Sequence, residues 1–489
     1  MVFSDIFFLF LFLPLQLYAC SLVRENDKRN IILLCFSLFF YAWGEPLYVL
    51  LLVGMSFADW FLSLVIEANR GKKTARTALV LAIVINLGLL CIFKYSGFLA
   101  ENLQALCGFP KHIPQIPLPI GISFYTFQLL TYVIDVYRGE VHCAQKFREL
   151  LLYASLFHQC IAGPIVRYKD VQNEIRSRTC NTTTAAKGAQ RFCVGLAKKA
   201  LLANSCGALA DMILLADGDL ADASLFSDNL SALSSRPALL LWFGALVYML
   251  QIYLDFSAYS DMAIGLGLMA GFHYKENFNY PYTASSVTEF WRCWHISLSS
   301  FFRDYVYIPL GGNRKGKLRM ILNLLIVWLL TGLWHGASWN FIFWGLYYFV
   351  FLVLEKQFLS QTLKKIHPVF GHIYTLLVVF FGWILFRFRN MAFVGTVLKG
   401  LFGLNGNGFA DYETLCVLRN NIFFLIVAVI AVTPLIRNLR KKLEHDSKYS
   451  KPVLRTKAVL LTALPIVLTL LSVMALVGDS YNPFLYFQF

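Results

Sequence analysis

The sequence predicts an all-α, polytopic integral membrane protein with about 11–13 membrane-embedded helices, and three observations carry that reading. Only 15% of the 489 residues are charged and 58% are hydrophobic, whereas soluble domains carry roughly 25% charged residues. Apolar runs of roughly 18–25 residues recur from end to end, each long enough to cross a hydrocarbon core about 30 Å thick. These runs are continuously apolar, unlike barrel strands, which alternate over about 10 residues. Third, the formal net charge of +15 resides in short loops between apolar runs. That is the positive-inside pattern; it points to membrane lipid and away from nucleic acid as a partner. The 44 Phe, 24 Tyr and 10 Trp suit interfacial belts and lipid-facing helices.

Taken in order, residues 1–22 lack the basic stretch of a cleaved signal peptide, and Arg24, Lys28 and Arg29 follow them. A retained first helix with its N-terminus outside is expected. Residues 30–66 read as a two-helix hairpin broken at WGEP, 43–46, with Asp59 inside it. The basic loop 67–76 is then cytoplasmic, and 77–99 crosses outward. Pro110, Pro114, Pro117 and Pro119 make 102–119 an outer loop. Glycine, serine, threonine and glutamine interrupt IGISFYTFQLLTYVIDVYRG, which is therefore read as entering the bilayer without crossing as a plain helix. Residues 149–164 form a partial span containing His158.

Eight Lys or Arg between 167 and 199 suggest a cytoplasmic loop followed by an amphipathic helix on the inner leaflet. The Asn181-Thr-Thr sequon would then be accidental. Residues 237–256 are a clear span running into LDFSAYSDMAIGLGLMAGF, and 339–354, 373–386 and 421–435 continue the series. The strongly basic 437–457 loop is placed inside, and 458–477 is a last span that leaves YNPFLYFQF outside. No internal repeat or soluble domain is visible, so 1–489 is read as a single integral-membrane domain.

The 11 cysteines are odd in number and include no C-x-x-C pair, so neither a disulfide framework nor a thiolate zinc site is indicated, and no metal ligands are assigned. Cys293 reads as packing rather than as a nucleophile. No phosphate-binding loop, dinucleotide fingerprint, H-E-x-x-H or nucleophile elbow occurs in a meaningful setting. Attention therefore falls on 290–339, where two of the nine histidines each follow a tryptophan: Trp294-His295 and Trp334-His335.

His335 closes a charge-free run, 321–334, and a titratable ring at membrane depth is a functional candidate. Thr331 and Gly332 can loosen the helix, Gly336 and Ala337 leave space, Ser338 and Asn340 offer polar partners, and Trp334 and Trp339 add walls. A neutral imidazole there is either a general base or a buried residue that fixes helix register. His295 lies in a segment too polar for a simple span, expected to lie flat or tilted at a cavity mouth. Around it Arg292, Arg303, Arg314, Lys315 and Lys317 either attract a phosphate-bearing donor, such as coenzyme A or a phosphopantetheine carrier, or anchor loops to anionic lipid. His158 suits a helix-packing hydrogen bond, His273 a structural role, and His112, His142, His367, His372 and His445 the surface. Asp255 and Asp261 keep a proton-coupled transporter as the rival class.

PIGISFYTFQLLTYVIDVYRG, HQCIAGPIVRY, DFSAYSDMAIGLGLMAGF, NFNYPYTASSVTEFWRCWHISLSSFFRDYVYIPLGGNRKG, LLTGLWHGASWNFIFWGLYY and the tail PFLYFQF together resemble the membrane-bound O-acyltransferases. The likeness is to the bacterial branch of alginate O-acetyltransferase membrane subunits and, more distantly, to the teichoic-acid D-alanyl transfer protein. It implies a ring of tilted helices around a central tunnel, with a catalytic core at about residues 117–356, C-terminal helices at 373–477 and an external tail at 478–489. It implies that His335 is the essential catalytic residue and that His295 assists, with Trp291, Trp294, Arg303, Asp304, Trp334, Ser338 and Asn340 binding substrate.

The resemblance further implies a cytoplasmic acyl thioester, acetyl-CoA, as donor substrate, with no tightly bound cofactor. The acceptor implied is an outer hydroxyl on a polysaccharide such as alginate, cellulose or peptidoglycan. An extracytoplasmic acetyltransferase or acceptor protein is the implied partner, and the setting is the bacterial cytoplasmic membrane; the outward tail 481–489 and the proline-rich loop are the expected docking surface. D-alanyl transfer from a carrier protein and polysaccharide export are the alternatives.

Overall fold

A computed structural model describes residues 1–108, 116–161, 163–215, 223–439 and 451–478. The described residues are helical, with no strand among them. A π-helical turn, Phe8–Phe12, opens α1 (Leu13–Ser21). Then follow α2 (Asn26–Gly44), α3 (Tyr48–Ala68), α4 (Lys73–Cys107), α5 (Ile122–Arg138), α6 (Phe147–Ser155), α7 (Tyr168–Arg176) and α8 (Thr182–Ala197). A second π-helical segment, Lys198–Ala203, leads to α9 (Asn204–Leu214), α10 (Ala223–Ser234) and α11 (Ala238–Ala270). Two short helices, α12 (Val287–Cys293) and α13 (Ile296–Phe302), run into a π-helical turn, Arg303–Tyr307. After them come α14 (Lys317–His335), α15 (Trp339–Leu354), the π-helical Glu355–Leu359, α16 (Ser360–Lys365), α17 (Pro368–Arg387), α18 (Met391–Leu401), α19 (Tyr412–Ala431) and α20 (Lys451–Gly478).

Seven of the described helical segments are long and apolar enough to cross a membrane: α3, α4, α11, α14, Trp339–Lys365, α17 and α19. Phe8–Ser21, Met391–Leu401 and Thr462–Gly478 are shorter apolar helices. The hairpin break falls at Glu45–Leu47, between α2 and α3, where WGEP placed it. The protein is a multi-pass membrane protein. Its tail beyond 478 and most of the proline-rich loop, 109–115, lie outside the described residues, as does most of the basic 437–457 loop.

The chain divides into two compact units, Met1–Leu196 with Tyr259–Glu276, and Ala197–Ala258 with Asn277–Phe489. The first unit is centred on α5, and here the structure departs from expectation. This segment is one unbroken helix, not an interrupted one, and nearly every side chain from Ile122 to Val136 is buried. Two of its polar side chains bond to protein: Thr131 Oγ1 donates to the Gln128 carbonyl (2.7 Å), and the Tyr132 hydroxyl accepts from Ala144 N (2.9 Å) and meets Ser63 Oγ (2.7 Å). Gly121 begins α5 at φ +77°, with no room for a Cβ beside the Cys160 carbonyl. Helix α4 also continues to Cys107, past the residue where the sequence placed the outer loop.

Buried Asp59 on α3 accepts from the Asn86 amide on α4, at 2.9 and 2.8 Å. The basic 167–199 segment forms α7 and α8; α8 packs one face on the C-terminal part of α11 through Gly188 and Gly265. Asn181, the sequon residue, starts α8 by accepting from Thr184 N (2.7 Å), an N-cap role. Arg191 bridges Asp261 (2.8 Å) and Glu276. His158 is buried and meets the Tyr274 hydroxyl at 3.2 Å.

The second unit is built on the α14–α15 hairpin. A Cβ on Gly332 would lie 2.3 Å from the Phe341 carbonyl, and one on Gly345 would lie 2.4 Å from the Trp328 carbonyl. The two backbones approach as closely as small residues permit, the usual device of membrane helix pairs. Gly332 is therefore a contact residue inside a continuous helix and does not loosen it. Buried Lys199 and Asp255 form an ion pair at 2.7 Å.

Candidate active site

The α14–α15 contact fixes where His335 lies. Helix α14 ends on this residue, Gly336 turns the chain to extended backbone (φ −174°), and α15 starts three residues later. The space beside Gly336 is filled by the Phe341 ring, 2.2 Å from where its Cβ would be, so this glycine admits packing rather than leaving room. The His335 ring is buried and meets Trp334 (5.0 Å between centroids), Trp344 of α15 (5.0 Å) and Phe386 of α17 (5.3 Å), each edge to face.

His295 reaches the same aromatic cluster from another element. It stands between α12 and α13 with φ 43° and ψ 56°, a left-handed conformation unusual for a side chain with a Cβ. The turn is held from outside: Ile296 N donates to the Asn277 carbonyl (2.9 Å) and Asn279 N to the Cys293 carbonyl (2.9 Å). Glu355 fixes the start of α12, its carboxylate accepting from Val287 N (2.6 Å) and Thr288 N (2.8 Å) at the positive end of the helix.

The His295 ring is 99% buried, lying against Phe256 (4.7 Å) and Trp334 (5.6 Å), so one indole stands in contact with both imidazoles. Burial drives the His295 pKa down to about 3, so the ring is neutral near pH 7. Its Nδ1 lies 3.2 Å from Asn277 Oδ1, which also accepts from Ser297 N (3.2 Å) and Ser297 Oγ (2.8 Å).

The other sequence-selected residues divide into three groups. Trp291 and Trp294 extend the aromatic wall, Trp291 against Trp344 (5.4 Å) and Trp328 (4.9 Å), and Trp294 against Trp383 (4.8 Å). Ser338 donates to Asn340 Oδ1, and the Asn340 amide reaches the Leu385 and Phe386 carbonyls at 3.4 Å. That pair brackets the start of α15 to the end of α17. Arg303 and Asp304 form an ion pair with each other (2.7 Å), with Arg303 largely exposed; Arg292, Arg314, Lys315 and Lys317 are also exposed. Asn277, Phe386 and Trp344 are the residues that sequence reading missed. They lie 18, 51 and 9 positions from the histidine each one touches, with no local pattern to mark them.

What remains is a pair of histidines around a shared indole, inside a helical membrane protein, with a cationic surface elsewhere on the segment. The family described as membrane-bound O-acyltransferase matches residues 144–397, which include every residue of this site. Across the whole length of both chains, the protein is 36% identical to the probable alginate O-acetylase of Pseudomonas putida. It is 33% identical to the peptidoglycan O-acetyltransferase of Helicobacter pylori, covering 83% of this chain and 80% of that one. A more distant relative is the teichoic acid D-alanyltransferase of Bacillus subtilis, 26% identical over 51% of this chain and 62% of that one. With the match spanning both histidines and relatives aligned from end to end, the chain belongs to the membrane-bound O-acyltransferase family and is an acyltransferase of the membrane.

Proposed function

We propose that this acyltransferase moves an acetyl group from acetyl-CoA on the cytoplasmic side, through a tunnel in the protein, to hydroxyls of a polysaccharide outside the bacterial cytoplasmic membrane. An extracytoplasmic protein takes part in the delivery. The observation that carries the reading is the placement of His335: an imidazole at the end of an apolar helix, walled by Trp334, Trp344 and Phe386, with His295 across the shared indole. Two relatives support the substrate class, since both bear names for O-acetylation of a carbohydrate polymer.

In the step itself, His335 takes the proton of the incoming hydroxyl as its oxygen attacks the thioester carbonyl. The tetrahedral intermediate collapses with loss of the thiolate, and His335-H⁺ returns the proton to that sulfur. The products are an acetyl ester and free coenzyme A. The buried indole N–H groups of Trp291 and Trp344, which meet no acceptor among the described residues, are among the donors that could serve the carbonyl oxygen. Exposed Arg292, Arg314, Lys315 and Lys317 supply the charge that draws a phosphate-bearing donor. The basic loop 67–76 supports an outside N-terminus, and the basic 437–457 sequence supports an outside tail.

The ion pairs of Asp255 with Lys199 and Asp261 with Arg191 favour this reading over transport, because both carboxylates already have cationic partners. The test is transfer of label in vesicles containing the protein, given acetyl-labelled acetyl-CoA and de-O-acetylated alginate oligosaccharide. Base-labile label on the sugar is expected. Label taken only from a D-alanyl carrier protein would replace the donor, and oligosaccharide movement without ester formation would replace the class.

A further inference from the structure

We infer that Asn277 is a positioning residue for the transfer reaction, holding the His295 imidazole as the Nδ1–H tautomer so that Nε2, and not Nδ1, is the basic nitrogen of this ring in the site. The inference rests on the two-histidine reading above and adds to it which nitrogen of His295 is used and what selects it.

The geometry fixes the amide before it fixes the ring. Ser297 N can only donate, and it points at Asn277 Oδ1 (3.2 Å); an inverted amide would set N–H against N–H. Oδ1 is therefore the atom that faces His295 Nδ1 at 3.2 Å, and an acceptor there calls for a proton on Nδ1. Ser297 Oγ, 2.8 Å from the same oxygen, donates to it as well. A neutral ring carries one N–H, so with Nδ1 protonated Nε2 is the basic nitrogen.

Two further features set this arrangement apart from ordinary packing. Asn277 is 99% buried, yet its Nδ2 has no hydrogen-bond partner among the described residues. A residue kept only to fill space would not leave a buried amide donor unused, which is a substantial penalty. And the His295 backbone is held in the left-handed region by bonds in which Asn277 itself takes part through its carbonyl. Strained residues of this kind persist only where their surroundings over-determine them. One side chain thus sets the turn, the ring plane and the proton.

Among the groups placed against the ring are Phe256 and Phe278, Trp334 of α14, and Asn277 with Ser297, each of them neutral. A carboxylate introduced at 277 would be a new charge at this ring and would stabilise its protonated form.

The experiment uses the full-length protein in nanodiscs, labelled with ¹⁵N-histidine, with the His295 signals assigned by their loss in His295→Ala. The wild type is expected to give the Nδ1–H pattern, Asn277→Ala a mixed or inverted one, and Asn277→Asp the Nδ1–H pattern with protonation moved to higher pH. In acetyl transfer, kcat of Asn277→Ala should fall at least tenfold with KM for acetyl-CoA little changed. Asn277→Asp should recover most of that rate near pH 8 and show an acid limb at higher pH than the wild type. An unchanged tautomer in Asn277→Ala, or a wild-type pH profile in Asn277→Asp, overturns the inference. The spectra do not use turnover, so failure of the two-histidine reading would appear separately, as full activity in His335→Ala.

Discussion

Trp334 is the residue through which the two histidines are related, since its indole meets His335 at 5.0 Å and His295 at 5.6 Å. Replacing it with leucine removes a wall from both rings, and a misplacement of about 1 Å can lower a rate by about 100-fold. Trp334→Leu should therefore lower acetyl transfer at least tenfold, while Trp334→Phe, which keeps an aromatic face, should retain more of it. Initial rates in vesicles check the order; equal rates for the two variants would show that the indole is not a positioning wall. At this scale the histidines were legible because each interrupts a pattern: an imidazole after a charge-free run, and another in a basic segment. Asn277 was not legible. Its role depends on a left-handed turn 18 residues downstream, which no local spacing announces. Nor could the sequence show that Ser338 and Asn340 bond to each other and to the end of α17.

Among the elements, the α14–α15 hairpin sets the site, and Gly332 and Gly345 set the hairpin. Gly332→Val would push a side chain into the Phe341 carbonyl, and overpacking of this kind costs about 1–3 kcal/mol. A lower Tm in detergent and a loss of activity beyond that of the unfolded fraction are expected. Gly395 on α18 has nothing within 4 Å of its would-be Cβ, so Gly395→Ala should be neutral or stabilising by up to about 1 kcal/mol. If both variants melt together with the wild type, the hairpin contact does not carry the site. The long spans were legible from hydropathy, and α15 runs over the residues expected, Trp339–Leu354. Helix α5 was misread because its serine, threonine and glutamine look like breaks when lipid is the assumed surroundings. They are covered by protein, Thr131 Oγ1 bonds to the Gln128 carbonyl, and the helix continues. The π-helical segments, and the short α12–α13 pair that carries His295, have no periodic signal to find.

For the whole molecule, composition alone established a multi-pass helical membrane protein, and the order of motifs established the family, which the end-to-end relative at 36% identity bears out. The division into two compact units, with the boundary falling inside the unbroken α11, was not legible, because hydropathy reports burial in lipid and not which helices pack together. Both histidines fall in the second unit, so the chemistry is assigned to one of the two. The most direct test of the account is acetyl transfer from acetyl-CoA by His335→Ala in vesicles, with Tm measured on the same preparation. General base catalysis contributes about 10²–10⁴-fold, so a rate at least 100-fold below wild type is expected, with Tm preserved. Full transfer by a folded His335→Ala protein would contradict it.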